Sequence, residues 1–242
     1  MKFGDLTFEE IKSCAENGWK VIIPTGCTEQ QGPHLPVDFD TWFITQLSLA
    51  ASEYADREYG IKTLVLPVIP FGPTPEHRGF GSGYIHLPQS IHESVINALL
   101  VSLEEQGFQR LIIWCGCGQH DLDEVINQFN ESLGGYEKAI QLTLSYFDIW
   151  RAISDPSIPG GHADSFSTSI AMYLRPDSVR NERVFNPESK PVDWDNPDLD
   201  FSLYSSSGVI GDPTYASAEL GKELWKQLIQ ESAAIIKQIT KE

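Results

Sequence analysis

The 242-residue sequence predicts an α/β fold, a three-layer α/β/α sandwich with a mostly parallel sheet. Three observations predict it. Short apolar runs, "KVIIPT", "IKTLVLPVIP", "RLIIWCG" and "AIQLTLSYF", alternate with longer segments of helical periodicity. The first of them is apolar almost throughout, as a strand buried on both faces is. Finally, 41% hydrophobic and 11% aromatic residues suffice for a sizeable core, and the length fits one domain spanning 1–242.

The elements follow in order. Thr7 to Glu10, "TFEE", is a capping box that opens a helix of about three turns. "KVIIPT" is the first strand, and the loop "TEQQGPHLPVDFD" follows it. "DTWFITQLSLAASEYADREYG" has helical spacing and stops at Gly60, a C-terminal signal. "IKTLVLPVIP" is the second strand, followed by the glycine- and proline-rich loop "FGPTPEHRGFGSGYIHLP". "SIHE", Ser90 to Glu93, caps a helix running to Gly107. "RLIIWCG" is the third strand and leads through "CGQHD" into a helix ending near Leu133. "AIQLTLSYF" is the fourth strand, and "HADSFSTSIAMYLRP" is a loop turning into a helix that Pro176 ends. Asp177 to Ser207 is a polar excursion with Trp194, Phe201 and Tyr204, expected to meet a neighbouring subunit. "ASAELGKELWKQLIQESAAIIKQI" is a closing amphipathic helix.

Charge narrows the partners. With 34 acidic and 17 basic residues the net charge is −17, which argues against nucleic acid and against an anionic membrane surface. No apolar run is long enough to span a bilayer, and the first residues lack a signal peptide's apolar region. Four scattered cysteines make no disulfide framework, and Cys115 and Cys117 lack CxxC spacing. The expected compartment is the cytoplasm.

In a parallel sheet, ligands bind outside the carboxyl ends of the strands. The loops after the first three strands therefore converge there. They bring Glu29, His34, Asp38 and Asp40 towards Glu76 and His77, and towards Cys117 and His120. Acids, histidines and a cysteine at one sheet edge have the chemistry of a metal site.

These segments resemble the creatininase (creatinine amidohydrolase) family along nearly the whole chain. "IPTGCTEQQGPHLPVDFD" is similar to the pattern PxGSxEQHGPHLPxxTD, and "PEHRGF" to S-x-E-H-x-x-F. "CGCGQH" stands where the family has NGHGGN, "GGHADSFSTS" where it has HAGExETS, and "GVIGDPTYASAELG" matches a late GxxGDPxxAxxExG stretch. The resemblance implies an oligomeric α/β protein. It also implies that a pair of divalent metals hydrolyses a carbon–nitrogen or related bond in a small molecule.

The ligand set departs from that pattern. Glu29 and Asp40 match family ligands, but Gln31 replaces a histidine and Cys117 replaces the NGHGGN histidine. The acids that complete the second metal elsewhere in the family fall on Gln119 or Ser167. What remains implies one divalent metal, zinc foremost, on Glu29, Asp40 and Cys117, since a thiolate suits zinc. His162 matches the histidine of HAGE and is the expected proton donor. His34, His77, Glu76, Gln31 and Asp164 are the expected substrate pocket.

Several of these residues have a second reading. Cys117 is a ligand, a nucleophile with His120 or His162 as its base, or a buried filler. His120 is a base, a replacement ligand or a solvated helix-start histidine, and His34 either lines the pocket or only ties down its loop. Asp164 is a compensating carboxylate or a solvated loop acid. Three functions follow: a one-metal amidohydrolase acting on a small molecule, a metal-free cysteine hydrolase, or a scaffold that has lost its metals and binds a small molecule or partner.

Overall fold

A computed structural model of the chain describes residues 1–117, 120–155, 157–187, 189–194 and 196–240. Four strands form one parallel sheet: β1 (Lys20–Thr25), β2 (Thr63–Val65), β3 (Leu111–Cys115) and β4 (Ala139–Leu142). Their order is β2-β1-β3-β4 and every pairing is parallel, with Thr25 opposite Cys115 at the carboxyl end of the central pair.

Side-chain alternation splits the core into two layers, one on each face of the sheet. Ile22, Ile112, Trp114 and Leu142 face one way, onto α2 (Phe39–Tyr59), α5 (Tyr146–Ile153), α6 (Ser165–Leu174) and α7 (Ala218–Ile239). Val21, Ile23, Leu111 and Ile113 face the other, onto α1 (Phe8–Glu16), α3 (Gln89–Glu105) and α4 (Asp123–Ser132). Helices on both faces make the three-layer α/β/α sandwich that the alternating sequence predicts.

Local signals set most boundaries. Thr7 and Glu10 form the capping box of α1, with Thr7 N donating to Glu10 Oε2 at 2.7 Å. Gly60 ends α2 in the left-handed conformation, at φ 69°. Three sequence expectations need correction. "IKTLVLPVIP" pairs as a strand only over Thr63–Val65, because Pro67 has no N–H for the ladder. "AIQLTLSYF" divides at Ser145, whose hydroxyl accepts from Asp148 N at 3.2 Å and starts α5, so Tyr146 is helical. Ser90 caps nothing: α3 begins at Gln89 behind Pro88, and the Ser90 carbonyl accepts from Ser94 Oγ at 2.6 Å.

The excursion after α6 folds back on its own domain. Phe201 is buried and packs beside His77 and His162, with ring centroids 5.1 and 5.4 Å away. Trp194 stands edge-on to Phe201 at 5.8 Å. The expected subunit contact therefore loses Phe201 to the domain's own interior, while Trp194 stays 46% exposed.

α6 and α7 cross where Gly221 has no side chain, and a Cβ there would run into the Ser169 carbonyl oxygen. Gly221→Ala should therefore cost about 1–3 kcal/mol of unfolding free energy, the usual penalty of overpacking. Urea denaturation checks this, and an unchanged midpoint would contradict such close helix packing.

Candidate metal centre

The strand order places the crevice. The chain leaves β1 towards β2 on one side, while β3 and β4 lie on the other, so the connections diverge between the carboxyl ends of β1 and β3. There Gly116 N donates to Thr25 O at 2.8 Å, continuing the pairing one residue past the strands. A Cβ on Gly116 would press on Ile44 of α2, and one on Gly26 would overlap Thr41, so both loops hug the helix that carries Asp40.

Glu29 is the centre of this crevice and is only 3% exposed. Its Oε1 lies 3.3 Å from His77 Nε2 and 3.7 Å from His162 Nδ1. Its Oε2 is buried with no hydrogen-bond partner among the described residues. Glu76 Oε1 lies 3.3 Å from the same His77 Nε2, so this ring nitrogen stands between two carboxylates. Burial pushes Glu29 up, but His77 and His162 more than reverse that and hold it at about 2. Burial pushes His77 down, and Glu29 and Glu76 reverse it to about 10.

His162 behaves differently. Its Nε2–H donates to the Gln30 carbonyl at 2.6 Å, which leaves Nδ1 with a free lone pair facing Glu29. Burial, then the neighbouring charge of His77, lowers it to about 4, so it is neutral at pH 7. Ala163, next in the chain, has a φ of 51°, a left-handed conformation that costs a non-glycine residue about 1–3 kcal/mol. That turn sets His162 towards the crevice while Asp164 caps α6.

Asp40 lies in the first turn of α2, where the helix dipole favours a carboxylate by roughly 0.3–1 kcal/mol. Burial, reinforced by the charge of Glu29, outweighs this and raises its pKa well above the usual range. Gln31 Nε2 donates to Asp40 Oδ2 at 2.6 Å, and the Cys27 thiol donates to the same oxygen at 3.3 Å.

Two sets of donors here fit a cation: Glu29, His77 and His162, and Cys27, Glu29 and Asp40. Within each, one ligand atom per residue lies within 4.8 Å of the others. The fit rests on charge and on the orphaned oxygen. Two buried carboxylates share the crevice, one raised and one with an unpartnered oxygen, and a divalent ion would compensate both.

The crevice opens into a cavity of about 450 Å³, of a size to hold a small molecule. Glu29, Gln31, Asp40, Glu76, His77, Cys117, His162 and Asp164 all line it. The carboxylate of Asp164 is occupied, however: Oδ1 accepts from Phe166 N at 3.0 Å and Ser167 N at 3.2 Å, and Oδ2 from Gly161 N at 2.7 Å. It is a buried helix cap, neither a solvated acid nor a spare ligand.

Three other expectations change. His34 does not line the cavity; its Nε2 bonds Thr168 Oγ1 at 2.8 Å and ties the loop to α6. Cys117 does not group with Glu29 and Asp40 but with Cys27 and His120. His120 is a buried ring outside the cavity lining, clamped between Cys115 Sγ and the Pro73 carbonyl, and does not face solvent. Gln119, the third candidate at this turn, lies outside the described residues.

Sequence reasoning missed Cys27 and Gln30. Gln30 lies against both histidines: its backbone carbonyl accepts from His162 Nε2–H, and its side-chain nitrogen is 3.1 Å from His77 Nδ1. The signal for Cys27 was its position, two residues past β1 and two before Glu29, on a loop that must turn into the crevice.

Comparison with known proteins agrees with this fold. The family model described as creatinine amidohydrolase matches residues 4–236. The mycofactocin precursor peptide peptidase of Mycobacterium tuberculosis (strain CDC 1551 / Oshkosh) is 27% identical, covering 95% of this chain and 88% of that protein. The 3-dehydro-scyllo-inosose hydrolase of Thermotoga maritima is 23% identical, covering 98% and 83%. Among solved structures, a creatininase described as the Mn form superposes with a TM-score of 0.84 at 22% identity, covering 98% of this chain and 97% of that one. A mutant creatininase of Zn–Zn type gives 0.82 at 23% identity, covering 98% and 96%. Metal-dependent amide-bond hydrolysis is the reaction class of this family, and the comparisons lend nothing to the non-catalytic or cysteine-nucleophile alternatives. The chain belongs to the creatininase family.

Proposed function

We propose that the protein hydrolyses a carbon–nitrogen bond, in an amide or cyclic amide of a small molecule, with one divalent cation held by Glu29, His77 and His162. The observation that carries this reading is Glu29 itself, a buried carboxylate with one unpartnered oxygen between two imidazoles at the floor of the cavity. Two histidines and a carboxylate with an open side are a donor set that suits catalytic zinc. When bound, zinc supplies a lowered water pKa and polarises a carbonyl. Gln30 orients His162 through its carbonyl, and Glu76 holds His77 in place. Gln31 keeps Asp40 turned towards Glu29's side of the crevice by its 2.6 Å bond.

The walls describe the substrate. Phe39, Phe43, Tyr146, Trp150, Phe166 and Trp194 line the cavity, and no lysine or arginine does so among the described residues. Such walls suit a neutral or cationic molecule, since aromatic faces attract cations and an anion would find no partner. Trp150 Nε1 is buried with no partner among the described residues, a donor free for an acceptor on the substrate.

Hydrolysis of a panel of small amides and cyclic amides should stop on chelation and return with zinc. Glu29→Gln should lower kcat/KM by about a hundredfold or more, the scale of losing a metal's support. Zinc affinity should rise with pH, by roughly tenfold per unit between pH 6 and 9, because one proton on His77 must leave before the metal binds. Glu29, at about 2, and His162, at about 4, have already lost theirs and add no slope. Activity untouched by chelation would refute the reading.

We also infer a cytoplasmic homo-oligomer. No helix among the described residues is long and apolar enough to cross a membrane, and the four cysteines are free thiols, as a reducing compartment keeps them. Phe185, Leu203 and Tyr215 are exposed on or beside the 177–207 excursion and offer an apolar contact. Light scattering at micromolar concentration should give more than one chain per particle, and a monomer would contradict the assembly.

A further inference from the structure

We propose that Cys27, Cys117 and His120 form a second site, separate from the cavity ion, for a thiophilic divalent metal of the zinc class. One ligand atom from each lies within 4.8 Å of the other two. Cys27 comes from the loop after β1, while Cys117 and His120 come from the turn after β3, so an ion here would tie together the two loops of the crevice. Cys117 lines the cavity while Cys27 and His120 do not, so this group starts at the cavity wall and extends behind it.

The histidine is arranged as a ligand is. Its Nε2 lies 3.1 Å from the Pro73 carbonyl, which can only accept, so that nitrogen carries the proton. Nδ1 keeps its lone pair, which in the metal-free protein meets Cys115 Sγ at 3.3 Å, a contact that an ion on Cys27 and Cys117 would replace. A backbone carbonyl that fixes the tautomer of a metal-binding imidazole is the usual outer support of such a site. The ring is also wedged: a Cβ on Gly72 would overlap it. His92, fully buried at 4.9 Å from this ring, has two ring nitrogens without partners among the described residues. Polar groups left unpaired at such depth point to something bound nearby.

Charge and softness select the ion. Two thiolates neutralise a divalent cation, so the loaded group would be electrically balanced in a buried place. Each thiol gives up its proton on binding, which goes to solvent. Sulfur donors favour zinc over magnesium, calcium or manganese. This site does not rest on the cavity ion, and the test separates them.

The metal-free full chain is titrated with cobalt(II), whose thiolate complexes absorb in the near ultraviolet. The expected result is a sulfur-to-cobalt band in the wild type, weakened by roughly half in Cys27→Ser and in Cys117→Ser, as each removes one of two sulfur ligands. His162→Ala, which disables the cavity site, should leave the band intact, and so should Cys115→Ser. Because Cys27 is fully buried, Cys117→Ser provides a second, less buried position for the same readout. Cobalt binding without a sulfur band would overturn the proposal, as would a band that persists in the Cys27→Ser/Cys117→Ser double variant. A band lost in Cys115→Ser or in His162→Ala would overturn the ligand assignment.

Discussion

A carboxylate withdrawn from water is the constraint on which the rest of this site depends. Removing a charge such as that of Glu29 from solvent costs several kcal/mol even after relaxation. At 3.3 Å, with an effective dielectric near 20, His77 attracts each of its two neighbouring carboxylates by about 5 kcal/mol. Two such contacts exceed the cost of burying one imidazolium, which is why His77 stays charged and Glu29 stays ionised. Asp40 has no cation of its own, and burial wins there. The apoprotein thus holds a proton on His77 where a metal would otherwise provide the charge. The parallel sheet makes this possible because the loops leaving β1 and β3 part company at Glu29, and α2 closes the crevice from below.

The substitutions that set this chain apart from its family form a pattern. Gln31 brings no metal ligand; its amide instead donates to Asp40, covering an oxygen that a second ion would need. Across the same crevice, thiols occupy the ends of both central strands, with Cys27 bonded to Asp40 and Cys115 bonded to the Cys117 carbonyl at 2.8 Å. Sulfur donors stand on the Asp40 side, while the side around Glu29 keeps the carboxylate and the two histidines, His77 and His162, that match the family pattern.

Much of this was legible in the sequence. The strand runs, the capping box at Thr7 and the stop at Gly60 depend on local chemistry, which a single chain displays. Glu29 and His77 could be placed at one sheet edge because topology alone brings those loops together, whereas His162 joined them only through the family resemblance. Their pairing could not. Whether Cys117 meets Asp40 or Cys27 depends on a few ångströms of loop path, fixed by contacts such as Gly116 against Ile44. The sequence offered loop-tying as one of two roles for His34 but could not choose it, and the capping role of Asp164 was not foreseen. His34 bonds Thr168, far along the chain, which no spacing announces; Asp164 caps α6 by accepting from Phe166 and Ser167 N–H, a local signal that reads in the sequence as a loop acid.

The state of His77 in the metal-free protein tests the central claim most directly. Imidazole NMR across a pH titration should show this ring still protonated at pH 8 and losing its proton near 10. Zinc added at pH 7 should then release that proton. A His77 that titrates near 6.5, the value of a free imidazole, would contradict the account, because the two carboxylates would not then be charged and in contact with it.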